Sequence, residues 1–458
     1  MKSKLCKNSF LLLIISIVVY SCSLNNTSSV SISDDATITA FYIAYNDSST
    51  NASTASFTIT SGYITDSIYN VDSLPYNTRI DSLIPTIQFA SSDGYIINDT
   101  LTYTTYSSSV GAIDFTKPVK ITNIATDGST KKEYIVELRV HKIDPYKFEW
   151  EKLSDQIADL IFENQKTVIK NDTLFFFTNS GTTNYLYTSL DGHSWQPQPV
   201  TGMPTDADMK NIGVFDNTLY LFASSGGLYT SADGKNWSLK TTDEQYTFLS
   251  FLSVFQGKLF SVGQHKETNA LEIIYSSDGF TWNKSSDLPE HFPVSRFAST
   301  TLKPKYGYEK AVIVGGIDKF GNTLNTRWIT ENGLYWVNLQ NAKYTFSPLF
   351  NSAVIYYGSR LLLFGGSSEI GGMVDSDVQL LSSIDAGFSW NTPDSTQIVL
   401  PEFPDKYEYR TNVSIVVNPS NQDMYIVGGK DIFSNALSDV WRLKVNYYKF
   451  NPSEWYKY

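Results

Sequence analysis

Hydrophobic and polar positions alternate in short runs along most of the chain, with the two-residue period of half-buried β-strands. Between residues 36 and 142, runs such as "TITAFYIAY" and "KKEYIVELRV" are separated by turn-forming stretches such as "SSDG" and "TDGST". Turn residues between alternating runs are typical of strands joined by tight connections. The pattern therefore predicts an antiparallel β-sandwich over residues 36–142, followed by a linker at 143–147.

From residue 148 to 458 one pattern recurs. A loop followed by an apolar strand occurs six times, as "KNDTLFFFT", "FDNTLYLFA", "FQGKLFSVG", "EKAVIVGG", "YGSRLLLFGG" and "NQDMYIVGG". Five copies continue into a second strand, a tight turn and a tryptophan, and these tryptophans are Trp195, Trp237, Trp282, Trp336 and Trp390. Repeats of roughly 40–50 residues with four strands each are typical of β-propeller blades. Residues 148–458 are therefore predicted to form a six-bladed propeller.

A propeller must pair its last blade with a strand, because an open sheet edge promotes aggregation. The segment "FEWEKL" at residues 148–153 is predicted to supply the outer strand of the last blade. The alternative is "SEWYKY" at residues 453–458, which would complete that blade from the C-terminal end.

The turns that precede the tryptophans have a structural explanation. In "YTSADGKNW", Asp233 can accept backbone hydrogen bonds, Gly234 can adopt positive φ, and Trp237 can pack into the blade. The same roles are predicted for the other turn carboxylates and indoles, which are Asp191, Asp278, Asp385, Trp195, Trp282, Trp336 and Trp390. Because equivalent residues recur around the ring, we expect them to shape turns and not to carry out catalysis.

The spacing SxDxGxSW at residues 383–390 resembles the Asp-box of sialidases and related propeller proteins, and the glycine pairs resemble those of kelch repeats. The segment "DFTKPVKITNIATDGSTKKEYIVEL" is similar to Ig-like modules of Bacteroidota lipoproteins. Together these features resemble a family of such lipoproteins of uncharacterised function. The resemblance implies an all-β fold, an Ig-like β-sandwich followed by a six-bladed propeller of kelch/sialidase-like architecture. No segment resembles the early arginine motif of sialidases, so the implication concerns fold and not chemistry.

The N-terminus is typical of an export signal, since lysines precede an apolar run at residues 10–20. The run is shorter than the ~20 residues that a membrane-spanning helix needs. The stretch "VVYSC" resembles a bacterial lipobox, which implies removal of residues 1–21 and a lipid on Cys22. Residues 23–35 are small and polar without apolar periodicity, so a flexible tether is predicted over 22–35. The resemblance implies an outer-membrane lipoprotein anchored through Cys22, facing either the surface or the periplasm. An uncleaved signal anchor is the alternative.

The composition and the absence of certain motifs argue against several classes of binding partner. The formal net charge of −11 disfavours binding to phosphate backbones, and the chain has no long basic run, so nucleic acid is not an expected partner. The sequence contains neither HExxH nor CxxC. The acid pairs in "TDADMK" and "VDSDVQ" are not followed by the later glutamate of a calcium loop. No metal and no cofactor are predicted.

Three cations are candidates for ligand binding. Arg296, Arg410 and Lys210 stand near the start of a blade's first strand, which lines the central funnel of a propeller. They are predicted to face the funnel together. The alternative is a structural role, with the arginines paired to nearby acids such as Asp287 or Glu408.

These observations favour a non-catalytic cell-envelope protein that binds a glycan or a protein partner. The second hypothesis is a glycoside hydrolase or lyase with its active site in the funnel, which would require a pair of carboxylates at a defined separation. A third is a structural adaptor, which would present a contiguous exposed aromatic patch.

Overall fold

The computed structural model describes residues 32–44, 50–62, 65–97, 100–102, 107–109, 111–159, 162–304, 307–339, 346–368, 379–402 and 404–449. The chain divides into two compact units, with the boundary between Ile143 and Asp144. Cys22 and the segment 453–458 lie outside the described residues. The described residues contain two short α-helices, α1 (Thr50–Ser53) and α2 (Asn446–Lys449). Within the described ranges, no helix is long and apolar enough to cross a membrane.

The first unit consists of short strands around one apolar core. Its strands are β1 (Ile38–Ile43), β2 (Phe57–Thr60), β3 (Asp66–Asn70), β4 (Pro85–Phe89), β5 (Gly94–Ile97), β6 (Thr100–Thr102), β7 (Ser107–Ser109), β8 (Val119–Ile124) and β9 (Lys131–Glu137). They form one sheet in the order β1-β4-β7 and another in the order β2-β3-β9-β8-β5-β6. Alternate side chains such as Ile68, Ile87, Tyr134 and Val136 are fully buried in a shared core, which explains the period of two in the sequence.

One strand pair in this unit differs from the predicted antiparallel pattern. Strands β3 and β9 are parallel, with Asp66 opposite Tyr134. Parallel neighbours need a long connection, and five other strands, β4 to β8, lie between these two in the sequence. Local alternation cannot reveal this, because it does not depend on strand direction.

In the described part of the second unit, the strands form six antiparallel sheets, numbered here in chain order. The first three are β11 (Asn164–Lys170), β12 (Thr173–Ser180), β13 (Thr183–Ser189), β14 (Gln196–Gln198); β15 (Ile212–Phe215), β16 (Thr218–Phe222), β17 (Leu228–Ser231), β18 (Ser238–Leu239); and β19 (Tyr246–Phe255), β20 (Lys258–His265), β21 (Leu271–Ser276), β22 (Asn283–Asp287). A 3-10 helix, η1 (Met209–Asn211), precedes β15.

The other three sheets are β23 (Ala298–Leu302), β24 (Lys310–Val314), β25 (Arg327–Thr330), β26 (Val337–Asn338); β27 (Ala353–Tyr357), β28 (Arg360–Phe364), β29 (Leu380–Ser383); and β30 (Ser414–Val417), β31 (Met424–Lys430), β32 (Ala436–Val445) with β10 (Phe148–Ser154). Each is a meander in which consecutive strands pair. The exception is β10, which precedes the first sheet in the chain and joins the last one.

The pairing predicted for "FEWEKL" is present. Strand β10 runs antiparallel to β32, with Phe148 opposite Val445 and Trp150 opposite Leu443. The first strands of the six sheets also lie side by side in the order β11, β15, β19, β23, β27, β30, and β30 lies beside β11. Hydrogen bonds join that last pair, since Thr167 N donates to Ser414 Oγ at 2.9 Å. The first and sixth sheets are therefore in direct contact.

Aromatic and aliphatic side chains fill the space between neighbouring sheets. Trp237 of the second sheet, for example, packs edge-on against Phe177 of the first, with ring centroids 5.8 Å apart. Trp282 of the third sheet contacts Phe222 of the second in the same way, at 6.0 Å. Each of these tryptophans thus stabilises the contact between its own sheet and the preceding one.

Candidate functional site

The five turns at residues 189–195, 231–237, 276–282, 330–336 and 383–390, called the tryptophan turns here, share one hydrogen-bond pattern. In the second of them, Asp233 Oδ1 accepts from the backbone N–H of Lys235 at 2.8 Å and of Asn236 at 2.9 Å. Ser231 Oγ accepts from Gly234 N, and Trp237 Nε1 donates to Gly234 O at 2.9 Å. The N–H of Asn236, with further donors in the turn, outweighs burial and holds the pKa of Asp233 well below its usual range.

The other turns repeat these contacts. Asp191, Asp278 and Asp385 each accept backbone N–H groups of their own turn. Trp195, Trp336 and Trp390 donate their indole N–H to a turn glycine. Trp282 is the exception: it is buried, and its Nε1 has no partner among the described residues. All the predicted turn residues therefore occupy structural positions.

The fourth tryptophan turn shows that the carboxylate charge is dispensable. Asn332 takes the aspartate's place, and its Oδ1 accepts from Leu334 N at 2.9 Å and Tyr335 N at 3.0 Å. Thr330 Oγ1 replaces the serine hydroxyl and accepts from Gly333 N. The turn needs an acceptor with this geometry, and an amide oxygen suffices.

A cavity of about 300 Å³, called the central cavity here, is lined by the first strands of five sheets, by residues just before those strands, and by residues at η1, which precedes the second sheet. Its lining includes one side chain from each sheet or the segment before it: Lys166, Asn211, Ser250, Arg296, Asn351 and Asn412. Volumes of this order are typical of small-ligand sites. A second, wider depression shares Lys210, Arg296 and Asn412 with it and also includes Lys430.

Two of the three predicted cations, Lys210 and Arg296, line the central cavity. Lys210 Nζ donates to the side-chain oxygen of Asn351. Burial lowers the pKa of Lys210 to about 8; Asp208 opposes this shift, while Arg296, Lys430 and Lys166 add to it. Burial also lowers the pKa of Lys166. The cations therefore sit close together, with too little negative charge to offset their desolvation.

Arg410 differs from the prediction, since it does not line the cavity. It is only 2 % exposed, and its guanidinium binds both oxygens of Asp439, at 2.5 and 3.0 Å. Its Nε donates to the backbone oxygen of Glu408, not to the carboxylate that was one expected partner. The other expected acid, Asp287, binds Lys284 instead. Arg410 is thus a buried structural arginine, and the prediction that three cations face the funnel together is wrong for this residue.

The backbone at Arg296 is unusual. Its φ of 55° lies in the left-handed region, as do the φ values of 58° at Asn351 and 56° at Asn412. These three residues occupy equivalent positions in their sheets. Each lies two residues before a residue of its sheet's first strand, namely Ala298, Ala353 or Ser414, and the residue paired with that one on the second strand is followed directly by a glycine pair. The chain links them, because Asn351 N donates to Arg296 O and Asn412 N to Asn351 O. Asparagine tolerates this conformation, whereas arginine is disfavoured in it.

Sequence reasoning missed two cations near the cavity. Lys166 lies opposite Phe177 in the first sheet. Its position there is equivalent to those of Ala298, Ala353 and Ser414 in the last three sheets. Lys430 directly follows the last glycine pair. Aligning the repeats by their apolar strands would have shown a lysine where other copies have small or uncharged residues.

The cavity wall also contains polar atoms without a partner among the described residues. Ser250 and Gln165 are only 2 % and 3 % exposed, and Ser250 Oγ and Gln165 Oε1 accept or donate no hydrogen bond there. Ser352 Oγ and Asn412 Oδ1 are in the same condition. Buried polar groups are nearly always hydrogen-bonded, so an unmet set around one cavity indicates a polar occupant.

Acidic groups are few in this cavity. Asp208 is the one carboxylate among its described lining residues, and its Oδ1 accepts from Lys210 N at the start of η1. Across the described ranges, no group of three or more His, Cys, Asp or Glu side chains could hold a metal ion. The cavity can therefore offer cations, amides and hydroxyls to a ligand.

Residues 144–453 match the family described as DUF6242 beta propeller domain. Residues 17–138 match the one described as Domain of unknown function (DUF6242) N-terminal domain. No curated protein matches the chain. Among solved structures it is similar to YjhT, with 14% identity, a TM-score of 0.42, and coverage of 63% of this chain and 96% of YjhT. It is also similar to YCF48 bound to D1 peptide, with 14% identity, a TM-score of 0.34 and coverage of 66% and 97%.

Proposed function

Because the chain belongs to the DUF6242 family, in which an N-terminal domain precedes a β-propeller domain, we propose that it is a non-catalytic binding protein with a glycan site in the central cavity. The observation that carries this proposal is the position of the cavity, since each of the six sheets, or the segment before its first strand, contributes to the wall. A ligand site at the meeting point of repeated units is the usual arrangement in propellers. The first unit, as an Ig-like sandwich, would act as a spacer.

The six sheets are proposed to be six blades of a closed ring. Three features support this: each sheet is a meander, the first strands lie side by side, and β10 completes the sixth sheet. The glycine pair at the end of the sixth sheet adds a fourth. A Cβ on Gly428 would lie 2.2 Å from the side-chain oxygen of Gln165 in the first sheet, so glycine permits close contact there.

The arrangement of acids favours binding over catalysis. Glycoside hydrolysis ordinarily uses two carboxyl groups on either side of the scissile bond. Asp208 is the one carboxylate among the described cavity residues, and it already caps η1. The aspartates of the tryptophan turns are occupied by backbone donors. These facts weigh against the hydrolase or lyase hypothesis.

The chemistry of the wall favours a sugar over an apolar ligand. Amide and hydroxyl side chains such as Asn211, Asn412 and Ser250 dominate the lining, and they match the hydroxyl groups of a carbohydrate. A volume of about 300 Å³ suits one or two sugar residues better than a folded protein surface. The export signal and the lipobox resemblance support a place in the cell envelope, with Cys22 as a lipid anchor to the outer membrane.

Binding of the chain from residue 23 to 458 to a glycan array tests this function. Lys210→Met changes the cavity, and Asp233→Asn is the matched control at a tryptophan turn. Saturable binding that is lost in Lys210→Met and retained in Asp233→Asn would support the proposal. Binding to no glycan, together with capture of a protein partner that Lys210→Met abolishes, would overturn the glycan assignment. Release of cleaved products from a bound glycan would overturn the non-catalytic one.

A further inference from the structure

We propose that the central cavity recognises an oxyanion substituent on the sugar, and that Lys166, Lys210 and Arg296 in its wall bind it together with Lys430 in the adjoining depression. This inference rests on the proposed glycan-binding function and specifies its ligand class as acidic glycans. A uronate carboxylate and a sulfate or phosphate ester share the required chemistry, a compact negative charge with several acceptor oxygens.

The first argument is the contrast between these cations and others in the same unit. Lys284 binds Glu272 at 2.9 Å and Asp287 at 2.6 Å, and Lys444 binds Asp423 at 2.8 Å. None of the four proposed cations, three in the cavity wall and Lys430 beside it, forms an ion pair with any residue that the structure describes. The chain has a formal net charge of −11, so a cluster of unpaired cations is a positively charged region in a negatively charged protein.

The second argument is that these buried cations have too few negative groups near them to offset the cost of removing them from water. Lys166 and Lys210 are both desolvated, and Asp208 is the carboxylate that partly offsets them. Burying cations without enough counter-charge costs free energy, which is recovered when an anion enters. The partner of Lys210 Nζ is a neutral amide oxygen of Asn351, so an oxyanion could bind there without breaking an ion pair.

The third argument comes from uncharged donors in the wall. Ser250 is 2 % exposed, and its hydroxyl has no partner among the described residues. The hydroxyl of Ser352, from the fifth sheet's segment of the wall, is also without one. Hydroxyl groups donate to oxyanions, and such charge-assisted bonds are stronger than neutral ones. These two hydroxyls add directional donors to the lysine charges.

The fourth argument is the conformation of Arg296. Its two equivalents are Asn351 and Asn412, the residue type that tolerates the left-handed region, yet the chain carries arginine at this position. Unfavourable backbone conformations tend to persist where a side chain serves a function. Its guanidinium forms no hydrogen bond with a described residue and lies 5.7 Å from the centroid of the Phe350 ring. It is therefore available for bidentate binding to an oxyanion.

The test is calorimetric titration of the chain from residue 23 to 458 at pH 6.5. The probes are a uronate-terminated oligosaccharide, its carboxyl-reduced neutral counterpart, a sulfated oligosaccharide, inorganic sulfate and inorganic phosphate. We expect the neutral counterpart to bind at least about tenfold more weakly than the uronate. The relative affinities of the uronate and sulfated probes identify which oxyanion the cavity prefers.

Three variants sharpen the test. Arg296→Asn installs the residue found at the two equivalent positions, so it should fold with an unchanged or higher melting temperature while binding the acidic probe about tenfold more weakly. Lys166→Met should weaken binding to a similar extent. Asp208→Asn keeps a capping side chain but removes the negative charge, so it should bind the acidic probe a few-fold more tightly.

The outcomes separate the two proposals. If the uronate, sulfated and neutral oligosaccharides all bind equally well, the oxyanion inference is overturned and the glycan-binding function stands. If none of the three oligosaccharides binds, the proposed function itself is overturned. If Arg296→Asn folds normally and binds the acidic probe as the parent does, Arg296 is excluded from the site.

Discussion

The tryptophan turns and the wall of the central cavity are both built from equivalent positions in repeated sheets, but they use these positions differently. Each turn has a side-chain oxygen as acceptor at the same position, from an aspartate in four turns and from Asn332 in the other. In the cavity, one set of equivalent positions holds Arg296, Asn351 and Asn412. The turn residues repeat because each binds the same backbone N–H groups. The cavity residues differ because their side chains face the cavity and not a shared backbone partner.

Electrostatics separates the two regions as well. Backbone N–H groups, led by that of Asn236, stabilise the charge of Asp233 and lower its pKa. Burial destabilises the charge of Lys210 and lowers its pKa too. The first shift comes from a satisfied charge and the second from an unsatisfied one, although both are downward. Ligand binding is expected where the charge is unsatisfied.

The largest expected effect is on stability, from Trp237→Ala in a tryptophan turn. Trp237 is 5 % exposed, packs against Phe177 and donates to Gly234 O, so its loss should lower the free energy of unfolding by about 4 kcal/mol. Urea unfolding followed by tryptophan fluorescence measures this. The affinity of the remaining folded protein for the acidic probe should be unchanged; a selective loss of affinity would contradict the separation of the two regions.

Arg410→Ala should be next in size, with a loss of about 3 kcal/mol in the free energy of unfolding. The reason is that Asp439, whose side chain is 14% exposed, would lose the guanidinium that binds both its oxygens. Arg410→Lys should cost less, because it keeps the charge but loses the bidentate geometry. Thermal unfolding of both variants measures the difference. Unaltered stability in Arg410→Ala would refute the structural role.

Binding of the acidic probe should weaken by about tenfold between pH 7 and pH 9. Lys210, with a pKa of about 8, loses its proton over this range beside Asp208, Lys166, Lys430 and Arg296. Binding near pH 8 should also take up protons, which appears as a buffer-dependent enthalpy in calorimetry. In Lys210→Met this pH dependence should be reduced, and an identical pH profile in that variant would exclude Lys210 as the titrating group.

The lowered pKa of Lys210 weakens ligand binding as the pH rises, but it should make the ligand-free protein more stable as the pH rises. Because the folded pKa of Lys210 lies below its usual value of 10.5, the unfolded chain binds more protons between about pH 8 and that value. Its contribution to the free energy of unfolding should therefore increase with pH over this window. Lys210→Met should remove this increase.

The smallest effects are expected from the turn aspartates. Asp233→Ala should lose about 1 kcal/mol of stability, since two backbone donors lose their acceptor but remain near solvent. Asp233→Asn should change stability by less than about 0.5 kcal/mol at pH 7, because Asn332 serves in the same role. Below about pH 4 the unfolded chain protonates this aspartate before the folded protein does, because the folded pKa is the lower one, so the contribution of Asp233 to stability falls and the stability gap between the parent and Asp233→Asn should change there. Chemical unfolding at pH 7 and pH 3.5 measures both.

Much of the fold follows from patterns that are local in sequence. The strands, the tryptophan turns and the pairing of "FEWEKL" with the last sheet were predictable, because alternation and turn chemistry act over a few residues. The parallel pair of β3 and β9 was not, since strand direction leaves no local pattern. In the candidate site, Lys210 and Arg296 were predicted, while Lys166 and Lys430 were missed and Arg410 was misplaced.

By itself, then, the sequence determined where strands and turns occur and that one unit is repeated. Only the tertiary structure decided which charges meet. Lys166 and Lys430 stand near opposite ends of the second unit's sequence, yet the contact between the first and sixth sheets brings both near Lys210. Arg410, in a similar sequence position to Arg296, is turned to Asp439 instead. Whether a cation is paired depends on residues distant in the chain, and their proximity arises only when the sheets pack.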